Sequence, residues 1–115
     1  MSFLEAYFTA INSHDYHGYR RLLGPQARAA FTRSQFTQGF RSTSDSMEKV
    51  KRIFTAGGDT VAVVNFTSHQ DPADSVNGQE SCTRWHISLY LQPTVTGYTI
   101  GPAPPGYHAS YASCS

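Results

Sequence analysis

The chain has 115 residues and a mass of 12.7 kDa, about the size of one domain with a single hydrophobic core. Hydrophobic residues make up 39% of it and aromatic residues 13%, which argues against a disordered chain. The net charge is only +1, which argues against a nucleic-acid-binding protein. No apolar run approaches the roughly 18 residues needed to cross a bilayer, and no signal peptide follows Met1. We therefore expect a soluble chain that does not itself insert into a membrane.

The first 40 residues have the apolar spacing of helices. The first apolar stripe consists of Phe3, Leu4, Tyr7, Phe8 and Ile11. This spacing predicts a helix of about three turns. Asp15 is placed to cap a second helix, which Gly24 and Pro25 should end. Residues 27–31 and 34–40 are predicted to form shorter helical pieces.

From residue 46 onward, the apolar period changes towards the two-residue repeat of strands. Residues 47–55 and 60–69 predict an antiparallel pair joined by a turn at residues 56–59. The sequence then predicts an exposed loop at residues 71–78. It also predicts a third strand at residues 80–91 and a short fourth strand at residues 95–100. Residues 101–115 are expected to form an extended, Pro-rich tail.

Apolar and polar residues alternate most clearly in the third predicted strand. Its apolar face is predicted to pack on the first helix and contains Trp85, Ile87, Leu89 and Leu91. The opposite face contains Cys82, Arg84, His86, Ser88 and Tyr90. The second strand is apolar on both faces at residues 60–66, so something should cover its outer side. Either the tail or a second copy of the chain, paired through the sheet, can provide that cover.

The order of helices followed by antiparallel strands predicts an α+β fold, in which a strongly curved sheet wraps around the helices to form a cone. Residues 1–115 are expected to form one domain. The two cysteines permit one disulfide, and Cys114 is placed to pin the tail to the strand at Cys82. Such a bond would indicate an oxidising compartment, whereas free cysteines would point to the cytoplasm.

Several segments resemble a known superfamily. They are FLEAYFTAINSHDY at residues 3–16, FTSHQ at 66–70, GQESCTRW at 78–85, LYL at 89–91 and YTI at 98–100. Together they span nearly the whole chain and resemble the NTF2-like, or cystatin-like, α+β cones, which include SnoaL-type cyclases and ketosteroid isomerases. The sheet segments are most similar to extracytoplasmic domains of bacterial envelope proteins, including domains attached to membrane-anchored serine/threonine kinases. The resemblance implies a strand-to-C-terminus disulfide, which matches Cys82 and Cys114.

An enzyme of this type needs a proton-transfer group inside the cone, with a pKa shifted by burial. The carboxylates considered for this role lie at caps, turns or a strand edge: Glu5, Asp15, Asp59, Asp71, Asp74 and Glu80. We therefore assign no catalytic residue. Possible pocket or binding residues are Tyr7, Asp15, Tyr16, Arg84, His86 and Tyr90.

No metal or other cofactor is expected. The clusters His14–His17 and His69–Asp71 lack the paired spacing of zinc ligands. The resemblance thus implies a non-catalytic accessory, sensory or interaction domain of a longer, membrane-attached bacterial envelope protein, with a small-molecule or protein partner. The alternatives are a small SnoaL-like isomerase, cyclase or hydrolase that uses the cone cavity, and a homodimeric structural module without a ligand.

Overall fold

The computed structural model describes residues 2–75 and 78–114, and in this part of the chain four α-helices precede the sheet. They are α1 Ser2–Asn12, α2 Tyr16–Arg21, α3 Pro25–Ala30 and α4 Arg33–Phe40. Asp15 caps α2 as predicted, because its carboxylate accepts a hydrogen bond from the backbone N–H of Gly18 at 3.0 Å. All the predicted helical segments are therefore confirmed.

One helix boundary differs from the prediction. Helix α2 already ends at Arg21, and Pro25 occupies the first turn of α3 instead of only ending the helix before it. Proline is favoured there because the N–H that it lacks has no partner within the helix at that position. Thr32 and Gln35 then form a reciprocal capping box at the start of α4.

In the described residues, five strands form one open antiparallel sheet. They are β1 Ser44–Ala56, β2 Asp59–His69, β3 Cys82–Thr94, β4 Gly97–Ile100 and β5 Ser110–Ser113. Strand β2 lies between β1 and β3, while β4 and β5 both pair with the opposite edge of β3. A 3-10 turn, Pro72–Asp74, lies between β2 and β3. The α+β class and the antiparallel pairing are thus confirmed.

Most strand ends differ from the prediction by one to three residues, and two larger differences concern β3 and the tail. Strand β3 continues through Pro93, whereas we predicted a break there. Pro93 lies beyond Leu91, the last residue of β3 that pairs with β2, so its missing N–H costs that pairing nothing. Residues 110–113 form β5, although the whole tail was predicted to be merely extended.

The core lies between α1, α2 and the inner face of the sheet. Leu91 is completely buried in this core, and Ile87 and Leu89 pack against it. The core also includes four residues of the predicted α1 stripe: Leu4, Tyr7, Phe8 and Ile11. The assignment of the two faces of β3 is therefore correct. Trp85 stacks on Phe66, with ring centroids 6.5 Å apart, and Phe66 in turn meets Phe8 at 4.9 Å.

The tail folds back along the edge of β3 that faces away from β2. The predicted disulfide is present, with the sulfur atoms of Cys82 and Cys114 bonded at 2.00 Å. The hydroxyl of Tyr107 accepts a hydrogen bond from the Ser88 N–H at 2.7 Å, and its ring lies 5.8 Å from that of Tyr90. The tail thus covers part of the outer face that the sequence left in need of cover.

Within the described residues, no helix is both long enough and apolar enough to cross a membrane.

Candidate functional site

A cavity of about 230 Å³ lies between the helices and one end of the sheet. Its wall includes side chains from α1, α4, β1, β2, β3 and the loop after β2. The apolar part consists of Tyr7, Ile11, Phe40, Phe66, Trp85 and Ile87. The polar part includes Thr43, Asp45, Ser68, Gln70, Asp74 and Thr83. An apolar pocket with a few converging polar groups is the usual form of a small-molecule site.

The local periodicity of each element places these side chains. Tyr7 and Ile11 lie four residues apart on α1 and therefore share one face of the helix. On β2, Phe66 and Ser68 point to the same side, and they pair with Trp85 and Thr83 of β3. The cross-strand register thus brings two aromatic rings and two hydroxyl groups to one patch of the inner face.

Asp45 contributes a carboxyl group to the layer between the helices and the sheet, and this residue is only 5% exposed. It accepts a hydrogen bond from the Ser68 hydroxyl, its cross-strand partner. Its backbone is held by Asn12 at the end of α1, which donates to the Asp45 carbonyl at 2.8 Å and accepts from the Asp45 N–H at 2.5 Å. These contacts fix the start of β1 against α1 and keep the carboxyl group at the cavity wall.

Burial raises the pKa of Asp45 to about 6. The hydrogen bond from Ser68 opposes this rise, and the nearby charge of Glu48 adds to it. A carboxyl group with this pKa exchanges a proton near neutral pH, so it can act as an acid, as a base or as a counterion.

Tyr7 lines the cavity with a phenol that stays protonated. Burial, together with the neighbouring Tyr19, raises its pKa well above the ordinary value. The two tyrosine rings lie 5.7 Å apart. Tyr7 is therefore a neutral hydrogen-bonding group at any physiological pH.

An ion pair fastens the loop that forms one rim of the cavity. Arg41 donates to Asp74 from Nε at 2.9 Å and from Nη2 at 2.5 Å, and Ser42 donates to the other Asp74 oxygen at 2.6 Å. The Arg41 and Ser42 hydrogen bonds lower the pKa of Asp74. Because the Ser42 hydroxyl also accepts from the Asp71 N–H, both ends of the 3-10 turn are tied to the short connection between α4 and β1.

Only one of the six residues singled out from the sequence, Tyr7, lines this cavity. Asp15 and Tyr16 lie in a separate depression on the helical side, about 340 Å³ in volume. Arg84 and His86 are exposed on the outer face, and Tyr90 packs there against Tyr107.

Arg84 and His86 help to form a second, wider depression of about 690 Å³ on the outer face, beside the disulfide. Arg84 donates to the Cys114 carbonyl at 2.9 Å, and the Nδ1 atom of His86 lies 2.5 Å from Asn65 Oδ1. Both side chains thus have structural partners.

The sequence interpretation placed every carboxylate that it considered at a cap, a turn or a strand edge, and it missed Asp45. Two features hid this residue: the predicted first strand began at residue 47, and a bulge lies between Ser46 and Lys49. The bulge inserts a residue, so Asp45 shares the inner face with Val50 although the two are an odd number of residues apart. An Asp flanked by serines at the start of a β-rich run was the only available sequence cue.

No group of three or more His, Cys, Asp or Glu side chains within residues 2–75 and 78–114 is arranged to hold a metal ion. No family model, curated protein or solved structure matches the chain. The arguments for function therefore rest on the cavity and its chemistry.

Proposed function

We propose that this chain is a non-catalytic, ligand-binding accessory or sensory domain of NTF2-like fold, in the extracytoplasmic part of a bacterial envelope protein. The observation that carries the proposal is the cavity between the helices and the sheet, with its aromatic wall and its buried Asp45 carboxyl. A buried charged group at a cavity wall is costly for folding, and such groups concentrate at functional sites.

The fold and the setting have further support. Helices packed on the inner face of an antiparallel sheet, with a cavity at one end, are what a cone of this superfamily would contain. The Cys82–Cys114 disulfide favours an oxidising compartment and so supports an extracytoplasmic location. The sequence resemblance to kinase-attached envelope domains supports a role as a sensor that reports the presence of a ligand to an attached domain.

A thermal-shift screen with small compounds tests this function, because a ligand that binds only the folded state raises the Tm. Gly39 lines the cavity on α4, and a Cβ atom added there meets nothing within 4 Å. Gly39→Phe should therefore obstruct the cavity without a backbone clash, and Gly39→Ala is the matched control. We expect hits that Gly39→Phe abolishes and Gly39→Ala retains. Hits that survive in Gly39→Phe would place the ligand elsewhere and contradict the proposal.

Asp45 favours a second candidate, a small SnoaL-like isomerase, cyclase or hydrolase. A carboxyl with a pKa of about 6 lines the same cavity as the protonated phenol of Tyr7, and proton abstraction next to a carbonyl needs a base and a donor of this kind. Turnover of a cavity ligand that is lost in a folded Asp45→Asn variant would establish the enzyme and refute the non-catalytic proposal. Binding without turnover favours the sensor.

A homodimeric structural module without a ligand is the remaining alternative. It would pair two copies through the outer face, where Met47 and Phe54 are exposed. A stable dimer together with no cavity-dependent ligand would favour this alternative over both others.

A further inference from the structure

The charged side chains that line the cavity all have the same sign. Among the described residues that line it, the only charged side chains are Asp45 and Asp74, and no Lys, Arg or His is present. Asp74 is neutralised by Arg41, which binds it at 2.5 Å from outside the lining. Asp45 has no basic side chain among its hydrogen-bond or ion-pair partners in the described part of the chain. The cavity therefore contains one uncompensated acidic group.

Asp45 retains an oxygen atom for a ligand. The Ser68 hydroxyl binds Oδ1, and no described residue donates to Oδ2. No fully buried side-chain oxygen or nitrogen in the described part of the chain lacks a hydrogen-bond partner, so Oδ2 retains access to solvent. Asp45 as a whole is 95% buried, and it is one of the residues that line the cavity.

Four of the residues that line the cavity are aromatic. They come from different elements: Tyr7 on α1, Phe40 on α4, Phe66 on β2 and Trp85 on β3. The faces of aromatic rings attract cations, most strongly where water is excluded. The polar side chains Ser68 and Thr83 are small, so the remaining wall favours a compact apolar body.

We propose that the cavity binds a small organic cation, an ammonium group on a compact apolar body, with Asp45 as its counterion and the four aromatic side chains around it. This inference rests on the proposed small-molecule function and names its ligand class. An anionic ligand would meet a buried carboxylate with no basic side chain to offset it. A neutral ligand would leave the Asp45 charge unpaired.

The proposal is tested with a matched pair of probes, choline and its neutral isostere 3,3-dimethylbutan-1-ol. The two have nearly the same shape and differ in charge. Trp85 is the only tryptophan in the chain and lines the cavity, so its fluorescence reports binding there. It also borders the wider depression on the outer face, and Gly39→Phe distinguishes the two locations because Gly39 lines only the cavity. We expect choline to bind at least about tenfold more tightly than the isostere.

Two variants locate the origin of this discrimination. Asp45→Asn keeps an acceptor for Ser68 and removes the charge, so it should abolish the preference for choline. Glu48→Gln removes a carboxylate from the same strand, but from a residue that lines a different depression, and should retain the preference. Loss of the preference in Glu48→Gln but not in Asp45→Asn would overturn the assignment of Asp45 as the counterion.

The outcomes separate this inference from the function on which it rests. Equal binding of both probes, sensitive to Gly39→Phe, would overturn the cation inference and leave the ligand-binding function standing. No response of Trp85 to either probe would also overturn the cation inference, and the wider thermal-shift screen would then decide the function separately. Choline binding that is unaffected by Gly39→Phe would contradict both.

Discussion

Asp45 is the residue at which stability and function are expected to conflict. Its carboxyl pKa is raised from 3.8 to about 6 by burial, so the folded state holds the proton more tightly than the unfolded state does. For a raised carboxyl pKa, the favourable contribution to stability is present below pH 3.8 and is lost as the pH rises from 3.8 to about 6. Above that window, the folded protein contains a buried charge that opposes folding.

Asp45→Asn should therefore stabilise the protein by about 1–3 kcal/mol above pH 6, because it removes the buried charge and keeps an acceptor for Ser68. The gain should shrink towards zero as the pH falls below 4. Denaturant unfolding between pH 3.5 and 8 measures it, with Glu48→Gln as a control that should show a much smaller change. A variant that is equally destabilised at every pH would mean that the carboxyl group is structural.

Leu91 and Leu89 lie two residues apart on the same face of β3. Substitution of each by alanine compares a fully buried position with a partly buried one. Leu91 is 0% exposed, whereas Leu89 is only partly buried. Leu91→Ala should lower the free energy of unfolding by about 2–5 kcal/mol, and Leu89→Ala by less, because a cavity forms only where neighbours surround the side chain. Equal losses at the two sites in urea titrations would contradict this description of the core.

At the scale of elements, β5 is held by two means: pairing with β3 and the disulfide. The cysteines are 32 residues apart, and the backbone N–H of Cys114 also bonds to the Cys82 carbonyl at 3.4 Å. Loss of a cross-link that closes a loop of this length costs about 2–4 kcal/mol on a chain-entropy argument. Cys82→Ser and Cys114→Ser should each show this loss in thermal or denaturant unfolding.

The double variant provides the control for this prediction. Because both substitutions remove the same bond, their effects should not add, and the double variant should lose about as much stability as either single one. Additive losses would mean that the two side chains contribute separately through packing.

Element type was easier to predict from the sequence than element boundaries. The 3.6-residue spacing in α1 and the alternation in β3 each arise from contacts within one face, so they are visible locally. Strand β5 contains no such repeat. It forms because β3 presents an unpaired edge and Cys82 holds Cys114 beside it, which are features of distant residues.

At the scale of the whole molecule, the tail occupies part of the outer face that a second copy of the chain would need for pairing. Val61 pairs with Tyr90 on that face and is only 1% exposed, and Tyr107 of the tail packs on Tyr90. The bound tail thus leaves less apolar surface for a second copy.

We therefore expect the oxidised protein to be monomeric at micromolar concentration, and release of the tail to promote self-association. Light scattering coupled to size exclusion, with and without a reductant, measures both states, and Cys114→Ser should reproduce the effect of the reductant. A stable dimer of the oxidised protein would show that the tail does not replace a partner.

The sequence by itself determined the α+β class, the buried face of β3, the Asp15 cap and the cysteine pair, because each depends on residue types at short or regular spacing. Only the tertiary structure decided which carboxylate lies inside. The bulge between Ser46 and Lys49 reverses the alternation of β1, and the pairing of Asp45 with Ser68 then turns its carboxyl group inward. A bulge is set by the register between two strands and not by the residues of one, so the cavity with its acidic group becomes visible only once β1, β2 and α1 are packed together.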